Sequence, residues 1–341
     1  MKSAWIATIT AFLAACTPVG EQASTSVAAS SSDLEGAALF VANKFGNTLS
    51  KIDLGSGAEV KRVDSCKNPH ELSASPSGEH VALACYGGTT IDIFRTDDLV
   101  RVKSIELGDN ARPHGIVWHA NGSLYATAEG QKRVYWIRRP LARDANPLGF
   151  ATGKDGSHML AISPDGRHAW TTDLGSKTVT LVDLVTRRAP LSVEVGVEPE
   201  GIALSPDGTA LWVSARGSNK AFDLDPENLE IRREVATGAF PLRLAIRPQG
   251  DVAVTSDLAD GGLTVIDLAT AKPVRSIAVS SAEEARARLQ VTILWSDDGE
   301  RIYVAETGSD TIAEVDYASG TVLRRLQAGD GGDGLAILGG R

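Results

Sequence analysis

A unit of about forty residues recurs along nearly the whole chain, and a period of that length with four short strand-like runs is the signature of a ring of four-stranded blades. The clearest copies are Ser157 to Gly166, SHMLAISPDG, and Pro199 to Gly208, PEGIALSPDG. Degenerate copies begin at Pro69, Pro113, Pro241 and Gln290, and a truncated one at Gly332. The first apolar residues after these anchors are Leu72, Ile116, Leu160, Ile202, Leu244, Ile293 and Leu335, separated by 44, 44, 42, 42, 49 and 42 residues. Seven anchors predict seven blades. Within a unit, an alternating run makes the innermost strand, a Ser-Pro-Asp-Gly turn reverses the chain, and a run such as Ala210-Leu211-Trp212-Val213-Ser214 makes the second strand. A third strand such as Thr178 to Leu184 and a more polar outermost strand complete it.

The two ends of the chain complete one another. Residues 39–63 supply three strands of a blade without its innermost member, and Leu335-Ala336-Ile337-Leu338 supplies that member. The expected fold is all-β, a seven-bladed β-propeller over residues 37–341, closed by pairing the C-terminal strand with the N-terminal three-stranded segment. Closure removes strand edges that would otherwise invite aggregation. Phe40-Val41-Ala42-Asn43, Leu211-Trp212-Val213-Ser214, Tyr303-Val304-Ala305-Glu306 and the repeated Ser-Pro-Asp-Gly turns resemble the YVTN-type propeller repeat family across essentially all of that span. The resemblance implies the fold and little about activity, because propellers of this kind host binding, structural and enzymatic roles.

Residues 1–15 carry Lys2 and an apolar run from Trp5 to Ala15, too short to span a bilayer and read as a secretory signal. Leu13-Ala14-Ala15-Cys16 resembles a bacterial lipobox, which implies cleavage before Cys16 and its acylation, so that the protein is anchored in a membrane. An ordinary cleaved signal is the alternative. Thr17 in place of Asp implies, by resemblance to enterobacterial sorting, the outer membrane facing the periplasm. Residues 16–36 read as the lipidated cysteine and a flexible Ser/Ala/Thr-rich tether. The net charge is −9, or −10 once the leader with Lys2 is removed, and no basic cluster stands out, so neither nucleic acid nor anionic lipid is expected to bind. A monomeric ring is expected.

The connections entering each innermost strand, and the turns between second and third strands, should emerge on one face around the axial channel, where ligands bind by default. The residues following the anchors are His70, His114, His158, Glu200, Leu242, Val291 and Asp333. Equivalent positions in adjacent blades converge on the channel mouth, so three imidazoles and two carboxylates meet there. Such a set suits a divalent metal ion such as zinc or copper held by His70, His114 and His158, or metal-free acid and base chemistry. Polar side chains capping backbone groups at a wet channel mouth are the plain alternative. His80, His119 and His168 fall on the opposite face.

The second-to-third turns add Asn43, Tyr86, Glu129, Asp173, Arg216, Asp257 and Glu306, predicting an acidic rim that favours cations; common turn chemistry explains any one of them equally well. Arg112 and Arg243 are candidates for fixing a carboxylate ligand. Cys66 and Cys85 fall at the upper end of one blade and suit a disulfide in an oxidising compartment, free thiols and a Cys66 metal contact being the alternatives. Ser281 to Arg288 carries helix-start and helix-stop residues and sits where a short helix would partly lid the mouth. No phosphate-binding glycine loop, nucleophile elbow, haem-attachment or zinc-helix motif occurs. The function expected is binding of a small ligand or an envelope protein at the mouth; the alternative is a metal-dependent lyase or hydrolase at the same face.

Overall fold

The computed structural model describes Leu34 and residues 36–339; the leader, Cys16 and most of the tether lie outside the described residues. Seven four-stranded antiparallel sheets form, each running from an innermost to an outermost strand. The innermost strands are Gly332–Leu338 in blade 1, then Pro69–Ala74, Pro113–Trp118, Ser157–Ile162, Pro199–Leu204, Pro241–Ile246 and Gln290–Trp295 in blades 2 to 7. Blade 1 is composite: Gly332–Leu338 pairs with Ala38–Asn43, Ala38 opposite Leu338 and Val41 opposite Leu335. The ring is therefore closed by the two ends of the described chain, as the repeat pattern predicted.

Apolar alternation explains why the sheets stack face to face. Leu39, Ile52 and Leu54 of blade 1 pack with Tyr303, Ala305 and Ile312 of blade 7, and comparable clusters fill the spaces between other neighbouring blades. Outermost strands have one wet side, seen in the alternating exposure of Thr321–Gln327. The basal turns are set locally: in blade 5 the Ser205 hydroxyl donates to Asp207 at 2.6 Å and accepts from the Ala210 amide at 3.0 Å, while Gly208 takes a left-handed φ of +73°.

Near the axis the innermost strands crowd one another, and some positions admit no side chain. A Cβ on Gly334 would stand 2.1 Å from the His70 carbonyl oxygen, and one on Gly201 would stand 2.4 Å from the Leu244 amide. These glycines permit the close approach that brings the mouth residues together.

Cys66 and Cys85 form a disulfide across 19 residues, joining the segment that enters blade 2 to the end of its second strand. The bond restrains the approach to His70. Replacing both cysteines with alanine is expected to cost about 3 kcal/mol of unfolding free energy, read by urea denaturation under non-reducing conditions. An unchanged midpoint would show that the blade is already held by its neighbours.

The predicted helix forms over Ala282–Arg288. Ser281 and Glu284 make a reciprocal capping box, and the Thr307 and Gly308 amides donate to the Leu289 and Arg288 carbonyls, which fixes the helix over blade 7.

Candidate functional site: a cup at the channel mouth

One local irregularity, repeated in every blade, aims the site residues. At the mouth end of each innermost strand the register with the second strand shifts, between Pro69 and Leu72, Pro113 and Ile116, Ser157 and Leu160, Pro199 and Ile202, Pro241 and Arg243, Gln290 and Ile293, and opposite Val41 and Asn43 in blade 1. A bulge frees a residue from the ladder and re-aims its side chain. The freed residues include His70, His114, His158, Glu200, Leu242, Val291 and Asp333, and all seven line a cavity of about 390 Å³.

The rim differs from the expectation by one residue. Tyr86, Glu129 and Arg216 line the cup, but the equivalent positions in the other blades are Lys44, Leu174, Leu258 and Thr307. Asn43, Asp173, Asp257 and Glu306 are the last residues of their second strands and are buried inside the blades. Strand side chains alternate faces, so a one-residue displacement moves a group from the channel into the packing between sheets. Asp173 accepts hydrogen bonds from Ser157, Thr171, Thr178 and Thr180 at 2.6–2.9 Å. Asp257, pushed up to about 6 by burial, accepts from Thr255 and Thr264. Glu306 is held by Arg325, Arg288 and Thr311, and Asn43 donates to Thr48 and Ser50. These four fasten hairpins and do not reach a ligand. The rim is mixed in charge, and the predicted acidic ring is not formed.

The three imidazoles form a row. Ring centroids are 4.8 Å apart for His70 and His114 and 3.6 Å for His114 and His158, with Tyr86 4.4 Å from His70. Their electrostatic surroundings differ. His158 has Glu129 3.3 Å from Nδ1 and Glu200 3.5 Å from Nε2. Burial opposes its charge, yet the two carboxylates outweigh burial and raise its pKa. This contribution to stability is complete below the unfolded value near 6.5 and is lost as pH rises through the folded value. His114 is driven well below its ordinary value, by burial first and by the neighbouring His158 next. Its Nδ1 is buried with no hydrogen-bond partner. Two adjacent rings, tilted by 31°, are thus shifted in opposite directions from the ordinary value.

Arg243 crosses the channel one residue deeper than the row. Projecting from blade 6, its guanidinium donates to Glu71 of blade 2 at 2.9 Å and to Glu200 of blade 5, which also pairs with Arg216. Burial raises Glu71 above the usual carboxylate range against the pull of Arg243, whereas the Arg243 and His158 charges overcome the burial of Glu200 and hold it at about 2. Arg243, a sequence candidate for binding a ligand carboxylate, is committed to protein carboxylates. Glu71 was missed; an acid beside His70 in the middle of a short innermost strand was the available signal. The far wall is apolar, built from Phe240, Leu242, Leu258, Leu289 and Val291.

The donor set does not fit the expected metal. Among the described residues, the trio of His, Cys, Asp or Glu side chains whose donor atoms lie within 4.8 Å of one another is Cys66, Cys85 and Asp92, and its sulfurs are bonded to each other. His70, His114 and His158 offer no common centre, and both nitrogens of His158 already face carboxylates.

Fold and site together define a seven-bladed β-propeller with an amphipathic cup at one mouth of its axis. No family model matches the sequence, and no curated protein matches it. Solved structures do resemble the fold. A streptogramin B lyase structure has a TM-score of 0.65 at 14% identity, covering 76% of this chain and 83% of that one. Dihydro-heme d1 dehydrogenase NirN in complex with DHE gives 0.66 at 14% identity over 89% and 75% of the two chains. A functionally unknown protein from Desulfotomaculum acetoxidans gives 0.68 at 14% identity over 89% and 99%. At such identities the likeness carries the propeller architecture alone.

Proposed function

We propose that the protein is an exported, lipid-anchored binding propeller of the YVTN-repeat type that takes a small amphipathic molecule into the cup. The observation that carries this reading is the division of the cup: a row of imidazoles with an unpartnered buried nitrogen on one side, and five apolar side chains on the other. A molecule with an apolar body and one polar head satisfies both walls. Its head meets His70, His114 and Tyr86. Glu129, Glu200, Arg216 and Arg243 are already paired and keep the wall in place.

Anchoring through Cys16 belongs to the same reading. The described chain enters blade 1 at Ala38, at the basal end opposite the cup. A flexible tether would leave the cup free to meet a soluble ligand or an envelope partner.

The dye 1-anilinonaphthalene-8-sulfonate tests the cup directly. It is expected to brighten on binding, and Leu258→Glu, which puts a charge on the apolar wall, should weaken binding by about ten-fold or more. Val274→Ser, at an exposed apolar site on the outermost strand of blade 6, should change nothing. Retention of the full signal in the Leu258 variant sinks the assignment.

A further inference from the structure

At the basal end, six exposed arginines from three separate connections gather on one corner. Arg138, Arg139 and Arg143 lie between the third and fourth strands of blade 3, Arg187 and Arg188 lie in the same connection of blade 4, and Arg167 follows the basal turn of blade 4. The two blades touch there: the Arg187 guanidinium stands 5.4 Å from the Phe150 ring centre in blade 3, and the Tyr125 hydroxyl donates to the Gly166 carbonyl at 2.9 Å. Of the six, Arg139 alone has a carboxylate within ion-pair distance among the described residues, Asp144 at 3.8 Å, and both are more than three-quarters exposed. Leu141 and Val185 stand among them at 47% and 45% exposure. Beside Leu141 opens a cleft of about 610 Å³ walled by Trp118, Pro76 and Pro140.

We propose that this corner of blades 3 and 4 docks on an anionic lipid surface. Unpaired guanidinium groups around exposed apolar side chains suit the boundary of headgroups and acyl chains, where a soluble polyanion would leave Leu141 and Val185 in water. The whole-chain charge of −9 does not oppose this. Screening limits each charge to about 8 Å at physiological ionic strength, so the lipid meets the local cluster. Asp144, Asp165 and Asp183 lie among the six arginines and leave the corner an excess of positive charge, with the exposed Asp97 of blade 2 and Glu227 of blade 5 on either side of it. The sequence hid this cluster, because its members are spread from residue 138 to residue 188. The inference does not need the cup to be occupied, and it adds a second contact to the proposed N-terminal anchor.

The test separates the two contacts. The chain from Thr17 onward, which lacks the leader and cannot be acylated, is sedimented with vesicles of phosphatidylcholine alone or mixed with phosphatidylglycerol, at low and high salt. Preference for the mixed vesicles, lost at high salt, is expected, and replacing Arg138, Arg139 and Arg143 with serine should lower that binding about ten-fold or more. Replacing Lys67, Lys177 and Arg286, exposed basic residues of the cup end, should leave it unchanged. Equal binding to both vesicles, or a preference that survives the arginine substitutions, overturns the proposal. So does retention on polyglutamate without preference for charged vesicles, which assigns the corner to an acidic protein. Failure of the acylated chain to hold to phosphatidylcholine vesicles bears on the anchor alone.

Discussion

A chain ending at Gly331 is expected to lose cooperative folding altogether. The missing segment is the innermost strand of blade 1, and without it Ala38–Asn43 keeps one paired edge instead of two. Its loss strips Leu335 and Ala336 from cores that also hold Leu39, Val41 and Leu72. It also removes Asp333, the partner of Lys44 at 3.1 Å, and the Gly332 carbonyl that accepts from Thr307 at 2.7 Å. Several buried apolar side chains at about 1.5–3 kcal/mol each approach the whole stability of a domain, roughly 5–15 kcal/mol. Circular dichroism should show no sharp melt, and gel filtration should show aggregates built on the open edge. A peptide of residues 332–341 added in excess should restore part of the transition. A truncated monomer that melts within a few degrees of the full chain would mean that the ring does not depend on its closing strand.

Arg243→Met is expected to destabilise the protein by about 3–5 kcal/mol near neutral pH, the usual consequence of removing one partner from a buried ionic network. Two carboxylates, Glu71 and Glu200, would lose their shared cation inside the channel. The pH dependence separates this mechanism from simple loss of packing. Glu71 has a raised pKa in the native protein, so it favours folding while protonated and this contribution is lost as pH rises through its titration. Glu200 behaves oppositely, its contribution being present above the ordinary carboxylate value and lost as pH falls through about 2. Without Arg243 both groups titrate higher, so the variant's deficit in urea unfolding should shrink as pH falls from neutrality towards about 5. Adding Glu71→Gln should recover part of the loss. A deficit that stays constant across this range would locate the effect in packing.

The two registers at the mouth show how far pattern reading reaches. On the innermost strands the anchor residue marks position, and counting one residue onward found all seven side chains that the bulges turn into the cup, His70 to Asp333. On the second strands no such marker exists. Each second-to-third turn spans four residues, and the reading took its first residue in three blades, Tyr86, Glu129 and Arg216, but the last strand residue in the other four, Asn43, Asp173, Asp257 and Glu306, which faces the opposite way. A period of two tolerates no such slip. Contacts across the ring were out of reach for a different reason. Arg243 and Glu71 are 172 residues apart and in blades that are not neighbours, and no local pattern joins them.

The sequence by itself determined the number of blades, the strand order within each, the composite first blade and the row of imidazoles. These follow from a repeat whose apolar alternation, turn residues and spacing are local and recur seven times. Tertiary structure alone decided which charges pair across the axis, that His158 is clamped between Glu129 and Glu200 beside an unpartnered His114, and that arginines from two blades share one corner. Those features depend on distances between residues far apart in the chain, and such distances exist only once the ring has closed.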